Sequence, residues 1–287
     1  MIILSTGSIY TYGTARALAL AAETGYDGVE VTIDDRWDTR QPAYLRRLAE
    51  TYGTPIAALH SPFVATVSGW PACQLERLKR SVALAQELGT PVVVTHLPFR
   101  FYGLLGHLHG LGYRRFVLPL PLPWLRREPY YYALRDGQLR QLEEAAGVII
   151  AVENMPAFPL LGRPVDIHWF NRLDELARFP HLTLDTTHLG TWGLDPLRVY
   201  ERLRGRVAHV HLSNFDGREH RSPPDGDLPL AALLRRMAGS GYRGAISVET
   251  HPDALGAEDE VQCRSALRRA LLFCRENFVE EEADVKQ

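Results

Sequence analysis

Eight short apolar runs recur along the chain, and a stretch of helical spacing follows each of them. The runs are residues 2–6, 28–33, 55–60, 91–96, 148–154, 182–185, 207–213 and 245–250. Most are apolar on both faces, as strands of a buried parallel sheet must be. Between them lie segments such as TARALALAAETG (14–25), CQLERLKRSVALAQELG (73–89) and PLAALLRRMAGSG (229–241), several of which end in the glycine that closes a helix. Alternation repeated eight times predicts a single (β/α)8 barrel, and 287 residues suit one. A doubly wound open sheet is the structural rival, but nothing in that architecture stops at eight units.

The expected barrel spans residues 1–278, with 279–287 as a frayed tail. One segment breaks the rhythm. Residues 101–135 are rich in glycine, proline and aromatics, and they follow the fourth run. They are expected as a lid-like insertion over the C-terminal face, since a loop of this length usually carries a function. His107 and His109 fall in it and have no assigned role.

Composition narrows the setting. A net charge of −2 gives no overall basic field for nucleic acid or an anionic membrane, and no apolar run is long enough to span a bilayer. The N-terminus lacks the basic and apolar regions of a signal peptide. Three cysteines, Cys73, Cys263 and Cys274, include no CxxC pair, so a reducing, cytoplasmic setting is expected.

Polar residues fall at one level of this frame. His60, His96, Glu153, Asp185, His211 and Glu249 stand at or near the ends of six successive runs, the face where barrel enzymes keep their sites. Taken singly, each has an ordinary explanation. A strand-end histidine can bond backbone, Asp185 can cap a helix, and Glu153 can pair with an arginine. His209 shares a face with His211 but lies deeper, as a satisfied interior histidine. Glu30 is either an inward residue near the barrel floor or a substrate contact. Taken together, three inward acids cannot stay unpaired in a barrel centre. With several histidines they make a donor set for Mn²⁺, Zn²⁺ or Fe²⁺.

The motifs VENMP (152–156), DTTH (185–188), HVHLSN (209–214), EHRSPPDGD (219–227) and SVET (247–250), with HSPF (60–63) and THLPF (95–99), resemble the xylose-isomerase-like barrel superfamily. That group includes sugar isomerases and epimerases, inosose dehydratases and endonuclease IV. In the isomerase and epimerase branch, the resemblance implies one divalent ion (Mn, Zn, Mg, Co or Fe) held by Glu153, Asp185, His211 and Glu249. Glu153 and Glu249 would move protons on a small sugar or polyol. His60, His96, His188, His220 and Arg221 would contact the substrate, the last two from the loop after the seventh run.

Endonuclease IV is the rival within the superfamily. Its pattern would place a first zinc on His60, His96 and Glu153, and a second on Glu153, Asp185, His211 and Glu249. A third would sit on His188, His220 and an aspartate where this chain has Arg218. That departure, and a lid suited to the apolar faces of a small polyol, favour the sugar reading over abasic DNA. A non-catalytic barrel that binds a sugar or a partner protein is the third expectation. Substrate identity and any homo-oligomer stay open.

Overall fold

The computed structural model describes residues 1–63, 66–100, 103–108, 114–119, 127–160 and 163–279. Each of the eight runs forms one strand: β1 (Ile2–Ser5), β2 (Val29–Thr32), β3 (Ile56–His60), β4 (Val92–Thr95), β5 (Ile149–Glu153), β6 (Leu182–Asp185), β7 (Val207–Leu212) and β8 (Ala245–Val248). They pair in parallel and close into a barrel in sequence order, β8 returning to β1. The apolar character on both faces follows from this closure. One side of each strand meets the helical shell in the main core, which runs through Leu4, Val31, Leu59, Val93, Val152, Leu184, Val210 and Val248. The other side fills the barrel, where Ile3, Ala57, Ala58, Val92, Val94, Ala151 and Ala245 form a separate small cluster.

Glycine closes the helices where the sequence places it. Thr14–Thr24 and Gln74–Leu88 end at Gly25 (φ 93°) and Gly89 (φ 71°), a left-handed conformation that costs a side chain energy. Gly244 is required for a different reason. A Cβ there would meet the Ala208 carbonyl oxygen at 2.2 Å and the Tyr242 hydroxyl at 2.3 Å, so β8 can enter the sheet beside β7 only without a side chain.

The insertion is shorter than 101–135. Pro129–Arg135 is a helix of the barrel wall, with Tyr130, Ala133 and Leu134 buried. The Tyr130 hydroxyl hydrogen-bonds with Thr95 Oγ1 (2.9 Å) and donates to the His96 carbonyl (3.1 Å), locking the helix to the end of β4. Its run of three tyrosines reads as loop from sequence because the apolar stripe of a helix is hidden when aromatics cover every side. Ahead of it, Gly103–Leu108 and Arg114–Pro119 pair as an antiparallel hairpin. Residues 101–102, 109–113, 120–126 and 280–287 lie outside the described residues, as do the His107 side chain, His109 and most of the expected frayed tail. All three cysteines are free. Among the described residues no helix is long and apolar enough to cross a membrane.

Gly244→Ala is expected to destabilise the fold by about 1–3 kcal/mol, the usual cost of overpacking, because both colliding groups are held in place. Urea unfolding checks this, and a midpoint equal to that of the unsubstituted chain would contradict the close β7–β8 packing.

Candidate active site at the carboxyl ends of the strands

Inward-facing positions on β3 to β8 bring the sequence-identified side chains to one level. Glu153, the last residue of β5, is almost fully buried and is the hub. One carboxylate oxygen lies 3.3 Å from His60 Nε2 and 3.1 Å from His96 Nε2. The other lies 3.2 Å from His188 Nδ1 and 3.3 Å from His211 Nδ1. Burial alone would raise the Glu153 pKa, but the attraction of His211 and His96 and the hydrogen bonds from His188 and His211 outweigh it and hold the group well below the carboxylate range.

Asp185 has two roles at once. It ends β6 and caps the helix Thr186–Thr191, its Oδ1 accepting the His188 amide at 2.8 Å. Its Oδ2 is buried with no hydrogen-bond partner, 3.6 Å from His188 Nδ1 and 3.8 Å from His211 Nδ1. Burial pushes the carboxyl up to about 7; His188 opposes this, and the nearby Glu153 charge adds to it. Asn154 fixes the backbone here, its side chain exchanging hydrogen bonds with the Asp185 carbonyl (3.0 Å) and amide (2.8 Å).

His211 is the second hub. Its Nδ1 lies 2.8 Å from Glu249 Oε2, and its ring stacks on His60 at 5.6 Å. Burial would lower its pKa, but Glu249, Glu30 and Glu153 together hold it well above the usual histidine value. Glu249 and His96 each stand one residue beyond their strands. The Glu249 side chain keeps 23% exposure, so it faces the mouth. Burial would raise its pKa, yet His211 draws it down to about 2. His188 is raised to about 9, because Asp185 and Glu153 outweigh its burial. His220 packs edge-on against His188 with centroids 5.5 Å apart. Arg221 lies on the same loop but turns its Nε to Asp216 at 3.2 Å.

Donor atoms of Glu153, Asp185 and His211 all lie within 4.8 Å of one another, and so do those of His60, His96 and Glu153, and of Asp185, His188 and His220. The orphaned Asp185 Oδ2 is what makes the first group fit a cation, since a buried carboxylate oxygen without a partner needs one. Arg218, at the position where the endonuclease pattern needs an aspartate, is exposed and paired with Asp216 at 2.7 Å.

Glu30 takes the inward placement that was one of its two sequence expectations, while His168 and Phe63 escaped the sequence reading. Glu30 is buried beneath His211 and carries no exposure to a substrate. His168, from the irregular stretch after β5, is buried beside Phe99 at 4.8 Å with Nδ1 unpartnered. No periodicity marks it. Phe63, quoted only as part of a motif, is 56% exposed and stacks on His96 at 5.5 Å.

The raised groups set a pH dependence. In the fold Asp185 holds its proton to about pH 7 against 3.8 ordinarily, and His188 to about 9 against 6.5. Both contributions to stability are complete below the ordinary values and are lost as pH rises through the folded ones. A divalent cation must displace the Asp185 proton to use that oxygen. Manganese added to chelator-treated protein should therefore raise Tm more at pH 8 than at pH 5. An equal gain at both would sink the assignment of Asp185 as a donor.

Comparison with known proteins agrees with this architecture. An uncharacterized protein of Mycobacterium leprae is 29% identical over 95% of each chain. A fructoselysine 3-epimerase of Shigella flexneri is 24% identical, covering 87% of this chain and 89% of that one. Among solved structures, D-allulose 3-epimerase from Methylomonas sp. in complex with D-allulose superposes with a TM-score of 0.66 at 19% identity, covering 96% of both chains. Residues 18–269 match the xylose isomerase-like TIM barrel family, and the chain belongs to that family.

Proposed function

We propose that this protein is a divalent-metal-dependent isomerase or epimerase acting on a sugar, polyol or related hydroxy-carbonyl compound. The observation that carries the reading is the convergence of Glu153, Asp185 and His211 donors within 4.8 Å, with Glu249 reaching the same His211 nitrogen from β8. Family relatives named as sugar epimerases support it. Glu153, Asp185, His211 and Glu249 would hold the ion. When bound, the ion would polarise a substrate carbonyl and its neighbouring hydroxyl and so acidify the C–H between them.

The remaining chemistry belongs to the side chains. β5 and β8 stand three strands apart around the ring, so Glu153 and Glu249 reach the substrate from different sides. One carboxylate removes the C–H proton. The other is also ionised in the free protein; it acts as the acid once it has taken a proton from solvent at the mouth, and gives that proton to the opposite face for epimerisation, or to the adjacent carbon for isomerisation. His188 and His220 line one side of this space, and His60 and His96 the other. They offer ring nitrogens to hydroxyl and carbonyl oxygens, and the exposed Phe63 ring gives the apolar face of a small polyol a surface. Arg221 serves as a substrate contact once it exchanges Asp216 for a substrate oxygen.

A three-zinc phosphodiesterase acting on abasic DNA is the second reading. The triads His60–His96–Glu153 and Asp185–His188–His220 favour it, and the outward Arg218 opposes it. Elemental analysis of protein purified without added metal or chelator separates the two. About one equivalent per chain, lost in Asp185→Ala, is expected. Three zinc ions with cleavage of abasic DNA would replace the proposal.

Glu153→Gln and Glu249→Gln should each lower turnover of a ketose substrate by about 10²–10⁴-fold, the range for loss of a general acid or base. Unchanged turnover in either variant would remove that residue from the proton transfer.

A further inference from the structure

One layer below the site lies an acid that the proposed chemistry does not use. Glu30, on β2, has no exposure. Its Oε2 lies 2.5 Å from His209 Nε2, and its two oxygens lie 3.1 and 3.2 Å from His211 Nε2. The other nitrogen of the His211 ring, Nδ1, faces the mouth, 2.8 Å from Glu249 and 3.3 Å from Glu153. One imidazole thus spans two layers, with a buried carboxylate on its inner side.

The inward placement expected of Glu30 is what the fold has, but placement alone does not account for these bonds. A substrate contact is ruled out by full burial beneath His211. A mere filler is poorly served by a carboxylate, because burying its charge is costly unless it is paired. The interior cluster of Ile3, Ala58, Val92, Val94 and Ala151 shows that apolar side chains fill this barrel. Donor atoms of Glu30, His209 and His211 also lie within 4.8 Å of one another, but Glu30 Oε2 and His209 Nε2, 2.5 Å apart, already satisfy each other as a hydrogen-bonded pair.

We propose that Glu30 is a positioning residue that accepts the Nε2 proton of His211, fixes the plane of that ring, and presents Nδ1 to the strand-end carboxylates. His209, bonded to the same carboxylate, stops it from rotating away. The proposal rests on the cation reading above only in that Nδ1 is then the nitrogen offered to the ion. A hydrogen bond to the far nitrogen of a ligating histidine orients the ring and raises its basicity, and losing such a bond typically weakens metal binding 10–100-fold.

The test uses the full chain and Mn²⁺ alone, with two readouts. Calorimetry gives the Mn²⁺ Kd of the unsubstituted protein, Glu30→Gln and Glu30→Asp. Nitrogen-edited NMR of the metal-free protein follows the histidine ring N–H signals, with that of His211 Nε2 assigned by its loss in His211→Gln. Glu143→Gln is the control for a purely structural effect. Glu143 is also buried and bonded, to His181 Nδ1 at 2.8 Å and the Ile150 amide at 2.7 Å, but outside the site.

Glu30→Gln should weaken Mn²⁺ 10–100-fold and abolish the exchange-protected His211 Nε2–H signal. Glu30→Asp should recover part of both, and Glu143→Gln should change neither. If Glu30→Gln leaves both readouts as they were, the inference fails while the cation reading stands. If no variant binds Mn²⁺, the cation reading fails, and loss of the N–H signal alone still decides whether Glu30 positions the ring. Should Glu30→Gln not fold, Glu30→Asp decides: unaltered Kd and N–H signal overturn the inference, and a partial loss of both upholds it.

Discussion

A single carboxylate facing four imidazoles organises the mouth of this barrel. Glu153 touches His60, His96, His188 and His211, which come from β3, the end of β4, the helix after β6 and β7. A buried charge of this kind is tolerated only while its partners are in place. Four strand ends must therefore keep their register for one side chain to stay ionised. Parallel pairing supplies that register: Thr183 stands opposite Glu153, and Asp185 opposite His211. The cluster and the closed sheet depend on each other.

The charges do not balance within the cluster. Glu30, Glu153 and Glu249 are held low by the histidines around them. Asp185 is the acid left over. Its Oδ1 is occupied by the helix cap, and its Oδ2 has only ring nitrogens at 3.6 Å or beyond. Burial raises its carboxyl to about 7, and His188 only partly offsets this. The same side chain that terminates a strand and starts a helix thus presents an unsatisfied oxygen at the centre of the site. The helix cap accounts for one oxygen of this carboxylate and leaves the other without a partner.

Much of this was legible in the sequence, for physical reasons. Strands buried on both faces leave apolar runs, and each of the eight runs is a strand. The inward positions at their ends follow from the two-residue period, which placed Glu153, Asp185, His211 and Glu249 together. The same period could not decide Glu30. It says that the side chain points inward but not which layer it bonds to, and only the 3.1 Å approach to His211 settles that. The helix Pro129–Arg135 was hidden by its aromatics. His168 lies where no period operates, and its burial comes from Phe99 and from Phe158, 6.0 Å away.

The two sides of the mouth differ in what they present. On the β6–β8 side, His220 takes a positive φ of 55°, which a non-glycine residue adopts only when its surroundings impose it. Its amide donates to Thr187 Oγ1 at 3.0 Å, its carbonyl accepts the His251 amide at 2.8 Å, and its ring Nδ1 lies 3.2 Å from the Glu249 carbonyl. One strained residue therefore ties together the segments that follow β6 and β8. On the β1–β3 side, Tyr10, Trp37 and Phe63 stand exposed in the successive loops after those strands. A polar wall bound to the backbone of the β6–β8 side thus stands on one side of the strand-end cluster, and exposed aromatic rings stand in the loops on the other.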